Sequence, residues 1–263
     1  MIDLRVAEGV GPTGRALRDL LRERNVYREP YTRSIPLPGD RPAEAVVCYG
    51  VPYTGPLPCL NGNAGRFDKF RQFVELRSRG VRTVDYYVPS MAEQLPQEDY
   101  PLLGRQFSHH GGRDITVAFQ PQDIEWRARA GADFFTRYLP NTQELRIWIF
   151  RRRLKGAYEK VMVRPEQYRR IGRNYANGFA FQRVASGEVP QGAVDLAASA
   201  VQNLDLDFGA VDMVRGMDGQ YYVLEVNTAP GVESTIRQGL VGLADSIERW
   251  ARNGYPRRNG DNG

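Results

Sequence analysis

Apolar residues at Ala16, Leu17, Leu20 and Leu21 in PTGRALRDLLRERN recur at the spacing of one helical face behind a Pro-Thr start, so residues 12–25 are predicted as a helix. AEAVVCYG (43–50) reads as a short buried strand ending at a glycine, and the Pro-, Gly- and Asn-dense VPYTGPLPCLNGNAG (51–65) as a loop. In residues 66–79 a stripe of Phe67, Phe70, Phe73, Val74 and Arg77 predicts a second helix, and VRTVDYYV (81–88) a strand. YPLLGRQFSHHGGRDITVAF (100–119) reads as two strands around a glycine-containing tip. DFFTRYLP and QELRIWIF follow as strands, the second alternating Leu145, Ile147 and Ile149 against Arg146, Trp148 and Phe150. A helix over 192–203 precedes a last hairpin, FGAVDMVRGMDGQYYVLEVN, and the polar, glycine-rich end is expected to be a disordered tail from residue 251. Helices and strands alternate first, then antiparallel strands dominate; the class is α/β (α+β).

The last hairpin raises a chemical question. A turn at residues 216–219 sets Asp212 opposite Val223 and diagonal to Glu225. Val211, Met213, Tyr222, Leu224 and Val226 are then expected on one apolar face, with Asp212, Glu225 and Asn227 on the other. Diagonal neighbours lie about 7–8 Å apart, so the two carboxylates could share a cation. An oxygen-only donor set suits Mg²⁺, which takes one or two carboxylates and completes its shell with water and phosphate oxygens. A polar face turned to water gives the same pattern, and the hairpin alone does not choose.

Composition narrows the field. The chain has 263 residues, ordinary hydrophobic and charged fractions (41% and 25%), and a net charge of +5. It shows neither a membrane-length apolar run nor a signal-type start, so the expected location is the cytoplasm. Arginine supplies nearly all the basicity; the lysines are Lys69, Lys155 and Lys160, which gives a lysine at a motif position more weight. Cys48 and Cys59 fit neither a disulfide framework nor a zinc site and are expected as buried thiols. His109 and His110 are adjacent, so their side chains diverge and do not share a metal.

VLEVNTAPG after GAVDMV resembles the ATP-grasp superfamily, whose closing hairpin carries an Asp on one strand and Glu-x-Asn on the next. QELRIWIFRRRLKGAYEKVMV resembles the Glu-aromatic-Arg-hydrophobic strand, hairpin and lysine of its carboxylate-amine ligase-like branch, often carried by phages, with Leu145 in place of the aromatic. RNYANGFAFQR and LNGNAGRFDKFRQF are similar to two further segments of that branch. The likeness spans about residues 46–240 and departs where the family has a lysine before its glycine-rich lid: here stands Arg105, which keeps the charge with a different shape.

The resemblance implies an ATP-grasp fold in which an N-terminal α/β lobe (1–62), a central lobe with the lid (63–139) and a C-terminal lobe (140–250) enclose ATP. It implies Asp212, Glu225 and Asn227 as ligands of one or two Mg²⁺ ions. Lys69, Arg105 and Lys160 would contact nucleotide or phosphate, Glu144 the ribose or Arg146, and Gly111 and Gly112 would form the lid. The backbone of Arg137, Tyr138 and Leu139 would hold adenine, and Arg146, Arg173 and Asn174, with Asn177 nearby, the reacting phosphate.

The activity so implied is an ATP-dependent ligase that joins a small-molecule or peptide carboxylate to an amine through an acyl phosphate. If phage-encoded, it would act in the host cytoplasm. The same scaffold also serves kinase-like phosphotransferases and non-catalytic nucleotide binders. A basic nucleic-acid-binding module is the reading from another class; it would bind with steep salt dependence and be indifferent to Asp212, Glu225 and Asn227. Arg151–Arg153 at a hairpin bend read more simply as a solvated charged turn.

Overall fold

In the computed structural model the described residues are 1–7, 11–27, 43–107, 115–168, 173, 177–231 and 237–256, and they form three sheets. The first is parallel: β1 (Ile2–Val6), β2 (Ala45–Tyr49) and β3 (Cys59–Leu60) lie in that order, with α1 (Gly11–Glu23) between β1 and β2 in the chain. Every residue of β2 is buried, as a continuous apolar run in a parallel sheet requires. Two strands of this sheet escaped the pattern reading. β1 alternates Ile2 and Leu4 against Asp3 and Arg5, and β3 is a two-residue strand inside the predicted loop. Cys48 and Cys59 are free thiols as expected, their sulfurs 3.6 Å apart, although Cys59 is only half-buried.

The helix predicted from residue 66 starts later, as α2 (Lys69–Ser78), because the Asp68 carboxylate accepts a hydrogen bond from the Arg71 N–H (2.8 Å) and caps it. The strand predicted over 81–88 contracts to β4 (Tyr86–Tyr87), followed by the short α3 (Pro89–Ala92). Then come β5 (Leu102–Arg105), β6 (Thr116–Ala118), an unpredicted helix α4 (Asp123–Arg129), and β7 (Phe134–Arg137). These strands form an antiparallel sheet, β4-β7-β5-β6. The expected β5–β6 hairpin is present; its tip lies outside the described residues, with Gly111, Gly112 and both histidines.

The third sheet is the largest. It comprises β8 (Asn141–Phe150), β9 (Arg153–Met162), β10 (Phe179–Val184), β11 (Phe208–Gly216) and β12 (Tyr221–Asn227), in the antiparallel order β10-β9-β8-β11-β12, with α5 (Gln191–Asn203) before β11. Leu145, Ile147, Ile149, Ala157, Val211, Met213, Val223 and Val226 face α5 and pack on its Ala193, Ala197, Ala200 and Val201. The opposite face is covered at two ends. Trp148, Phe150, Tyr158, Phe208 and Ala210 join the core beneath the first sheet. Val214 joins Phe73, Val84 and Phe134 of the central region, with Tyr222 and Leu224 at its edge.

The C-terminal helix α6 (Arg237–Arg252), also unpredicted, returns to the first sheet: Leu240, Leu243, Ala244, Ile247 and Trp250 share a core with Leu17 and Leu21 of α1. Its start lies so close to Trp148 that a Cβ on Gly239 would come within 2.7 Å of the indole. Residues 251–256, expected as the start of a disordered tail, are held against the fold. Tyr255 packs edge-on against Trp250 (5.2 Å between centroids), and its hydroxyl donates to Glu44 (2.5 Å) and accepts from the N-terminal amine (2.6 Å). Residues 257–263 lie outside the described part.

The last hairpin departs from its expected register. Met213 pairs with Val223 as one partner set, but Asp212 pairs with Glu225, leaving Leu224 as a bulge residue. The apolar face is therefore built from Val211, Met213, Tyr221, Val223 and Val226, while Tyr222 and Leu224 turn to the other side. The extra residue switches the alternation once. Without it Glu225 would share the face of Val223 and Tyr221, beneath α5.

Candidate active site

Between its two apolar blocks, the free face of the third sheet carries charge. Asp212 on β11 stands opposite Arg146 on β8 and opposite Glu225 on β12, so three neighbouring strands supply one charged row. Arg146 donates two hydrogen bonds to Asp212, Nε to Oδ1 at 2.6 Å and Nη2 to Oδ2 at 2.8 Å, a bidentate pair. One step along β8, Glu144 forms an ion pair with Lys160 of β9. From above, Lys69 at the first position of α2 reaches Glu225 (3.1 Å), and Asn227 Nδ2 donates to Asp212 Oδ2 at 3.4 Å. These seven side chains are largely withdrawn from water.

Burial governs their electrostatics. It pushes the Asp212 carboxyl up, but the charge and hydrogen bonds of Arg146, with Lys160 and Lys69, outweigh it and hold Asp212 below the usual carboxylate range. Burial pulls the Arg146 guanidinium down; Asp212, Glu225 and Glu144 more than reverse this.

Arg105, at the end of β5, contributes from the central sheet. It is 8% exposed, and its Nε donates to Thr136 Oγ1 at 3.0 Å. No carboxylate of the described residues lies within ion-pair distance of it. Burial therefore lowers its pKa, opposed by the fields of Glu225 and Glu144. A buried cation whose one anchor among the described residues is a neutral hydroxyl has chemistry that suits an anion.

No family model matches the sequence, and no curated protein matches it. Solved structures do. The chain is similar to the ATP-grasp ligase PsnB in complex with a minimal precursor, Mg and ADP (TM-score 0.65, 14% identity, 95% of this chain and 98% of that one). It is similar to D-alanine–D-alanine ligase from Bacillus anthracis complexed with ATP (TM-score 0.62, 15% identity, 97% of each chain). It is also similar to the macrocyclase MdnC from Microcystis aeruginosa bound to the precursor peptide MdnA (TM-score 0.61, 12% identity, 94% and 98%). This chain has the ATP-grasp fold.

Most of the expected site residues lie among the described ones. Asp212, Glu225, Asn227, Glu144, Arg146, Lys160 and Lys69 come together on one face, and Arg105 joins them from the central sheet. Arg173 lies with its guanidinium over the Phe179 ring (5.6 Å), and Asn177 is buried just before β10. Asn174, Gly111 and Gly112 lie outside the described residues. Arg137 and Tyr138 already donate their N–H groups to the carbonyls of Asp85 (2.9 Å) and Pro101 (3.1 Å), so those two donors belong to the fold. The Arg137 side chain turns to Asp99 (3.0 Å), and Leu139 packs with Val214. Arg151 and Arg152 are not merely solvated: Arg151 binds Asp207 (3.0 Å) and the Pro256 carbonyl (2.9 Å), and Arg152 binds Gln202 (2.8 Å).

The donor set fits a hard cation. Among the described residues no group of three or more His, Cys, Asp and Glu forms, so the oxygens available are two carboxylates and an amide, the number that leaves Mg²⁺ room for water and phosphate. Asp212 engages Arg146 through both oxygens and would meet a cation through its remaining lone pairs. Four cations, Lys69, Arg105, Arg146 and Lys160, stand against three carboxylates, Asp212, Glu225 and Glu144, leaving one positive charge in excess before any metal.

Four contributors were not legible as site residues. Phe181 on β10 carries both Arg146 (4.6 Å) and Lys160 (5.5 Å) over its ring. Gln72, one helical turn after Lys69, accepts from the Val226 N–H (2.9 Å) between Glu225 and Asn227 and so closes the edge of β12. Tyr49 donates its hydroxyl to the Pro230 carbonyl (2.7 Å), and burial raises its pKa, so it remains a donor. The fourth is Thr136. The alternation of FAFQR and the i, i+3 spacing of Lys69 and Gln72 were available signals; Thr136 and Tyr49 had none.

Proposed function

We propose that the protein is an ATP-dependent carboxylate-amine ligase of the carboxylate-amine ligase-like branch, forming an amide or peptide bond through an acyl phosphate. One observation carries the reading: the β12 bulge sets Glu225 directly opposite Asp212, and that carboxylate pair is ringed by Lys69, Arg146 and Lys160, with Arg105 buried nearby. The reading keeps the lobes at 1–62, 63–139 and 140–250.

Asp212, Glu225 and Asn227 would hold Mg²⁺, as one ion or two. Bound MgATP supplies the phosphoryl group that turns a substrate carboxylate into an acyl phosphate, from which an amine then displaces phosphate. The chain's own groups do the rest by position and charge. Lys69, Arg105 and Lys160 would bind phosphate oxygens, Glu144 would orient the ribose or Arg146, and the backbone of Arg137, Tyr138 and Leu139 would hold adenine. Arg146, with Arg173 and Asn174, offsets charge on the transferring phosphoryl group and on the oxyanion of the second step. Gly111 and Gly112, outside the described residues, would belong to a lid that excludes water from the activated carboxylate. PsnB and MdnC each bind a precursor peptide, which supports a peptide among the substrates.

The test is a thermal-unfolding titration with MgATP and with ATP plus EDTA, on wild type and Glu225→Ala. MgATP is expected to raise the midpoint of wild type, because a ligand of the folded state stabilises by mass action; EDTA or Glu225→Ala removes the shift. Mass spectrometry of mixtures of ATP, amino acids and short peptides should then reveal a condensation product one water lighter than its parts. No MgATP shift in wild type sinks the proposal.

A further inference from the structure

Thr136 lies on β7 with 0% exposure, and among the described residues its hydroxyl has one hydrogen-bond partner, Arg105 Nε at 3.0 Å. A buried hydroxyl costs stability unless bonded, and valine would fill the same space without that cost. The Thr136 hydroxyl therefore serves no structural bond but this one.

The geometry of the acceptor matters for an arginine and not for a lysine. Guanidinium is planar, with Nε–H on one edge and the two terminal nitrogens at its end. Fixing Nε to a rigid strand residue sets the plane and leaves the terminal fork to grip an oxyanion with two parallel bonds. An ammonium carries three donors on one rotating nitrogen, so a bond to one of them fixes no plane. Leu103 of β5 pairs directly with Thr136, so the hydroxyl and Arg105 sit on adjacent strands whose register is fixed by the sheet.

We propose that Thr136 is a positioning residue that aims the Arg105 guanidinium at a phosphate of the nucleotide, and that it is the partner that makes arginine serviceable where a lysine would need none. This rests on the nucleotide reading given above. Thr136 acts only through Arg105, and this gives it a signature that a packing residue lacks.

The experiment is calorimetric titration of MgATP into the full chain for wild type, Thr136→Val, Thr136→Ser, Arg105→Lys and the double variant Arg105→Lys/Thr136→Val, with thermal midpoints recorded for each. Thr136→Val is expected to weaken MgATP about tenfold, the scale of a hydrogen bond to a charged group, and to lower the unfolding midpoint, since the buried Arg105 Nε loses its partner. Thr136→Ser, which retains the hydroxyl, is expected to bind within about threefold of wild type on the same scale. In the Arg105→Lys background Thr136→Val is expected to change nothing further. Equal binding by wild type and Thr136→Val overturns the positioning role, and so does an equal loss in both backgrounds. Failure of wild type itself to bind MgATP overturns the nucleotide reading and this role with it.

Discussion

The two faces of the five-stranded sheet are made by the same strands, residue by alternate residue, and they solve opposite problems. Under α5, Leu145, Ile147, Ile149, Val211, Met213, Val223 and Val226 are nearly dry and hold the fold by apolar burial, non-directional and tolerant of shape-conserving exchange. On the other face Glu144, Arg146, Lys160, Asp212 and Glu225 are also withdrawn from water, but each is kept there by a partner of opposite charge. Buried ion pairs are poor sources of net stability, since desolvation cancels most of the attraction. A sheet that spends one face on them is built for something other than stability. The apolar blocks at either end exclude water from the charged row, which strengthens its field where a polyanion would bind.

The comparison breaks most visibly by truncation. Ile147→Ala on the dry face should cost about 2–5 kcal/mol in urea unfolding, and Asp212→Ala, which strands Arg146, about 3–5 kcal/mol. The two should look alike in stability and differ in nucleotide binding, which only Asp212→Ala abolishes. If Asp212→Ala proves harmless to stability, the bidentate pair is not the buried unit described. A sharper version replaces the pair as a whole: Arg146→Met/Asp212→Leu should recover most of the stability lost by Asp212→Ala, while MgATP still fails to raise the unfolding midpoint.

Acid offers a smaller, graded contrast. Asp212 is held below its ordinary value in the folded state, so its contribution is fully present above about pH 4 and is lost as pH falls through the lower folded value. Wild type should therefore lose stability on acidification more steeply than Arg146→Met/Asp212→Leu, as followed by the unfolding midpoint between neutral and acid pH. Parallel acid profiles would remove Asp212 as the cause. The smallest effect belongs to the solvent-exposed pairs: Arg129→Ala, which removes a partner of Glu125 on α4 where both side chains are over two-thirds exposed (76% and 68%), should leave the unfolding midpoint within error.

Much of this was visible in the chain before folding. The alternation of Leu145, Ile147 and Ile149 against Arg146, Trp148 and Phe150 assigned both faces of β8 correctly, and the spacing of Asp212, Glu225 and Asn227 marked the charged row. Helices α1, α2 and α5 followed from periodicity and capping. Elements with little pattern of their own were missed or misjudged: β3 and β4 have two residues each, and their pairing depends on neighbours distant in sequence. The helix α6 carries its apolar stripe for a sheet at the other end of the chain, and the strand expected over 81–88 divides its partners, Thr83 bridging Val223 of β12 and only Tyr86–Tyr87 pairing with β7.

What the sequence determined by itself is which residue types stand at which alternate positions, because side-chain direction along a strand or helix is a local, periodic property. What only the tertiary structure decided is register and convergence. A turn-side register one residue from the expected one and the bulge at Leu224 together brought Glu225 from a diagonal to a direct neighbour of Asp212. The packing of α2 and the central sheet over β12 delivered Lys69 and Arg105 to a site they share no local sequence with. Both depend on contacts between distant segments, whose energies no window along the chain contains.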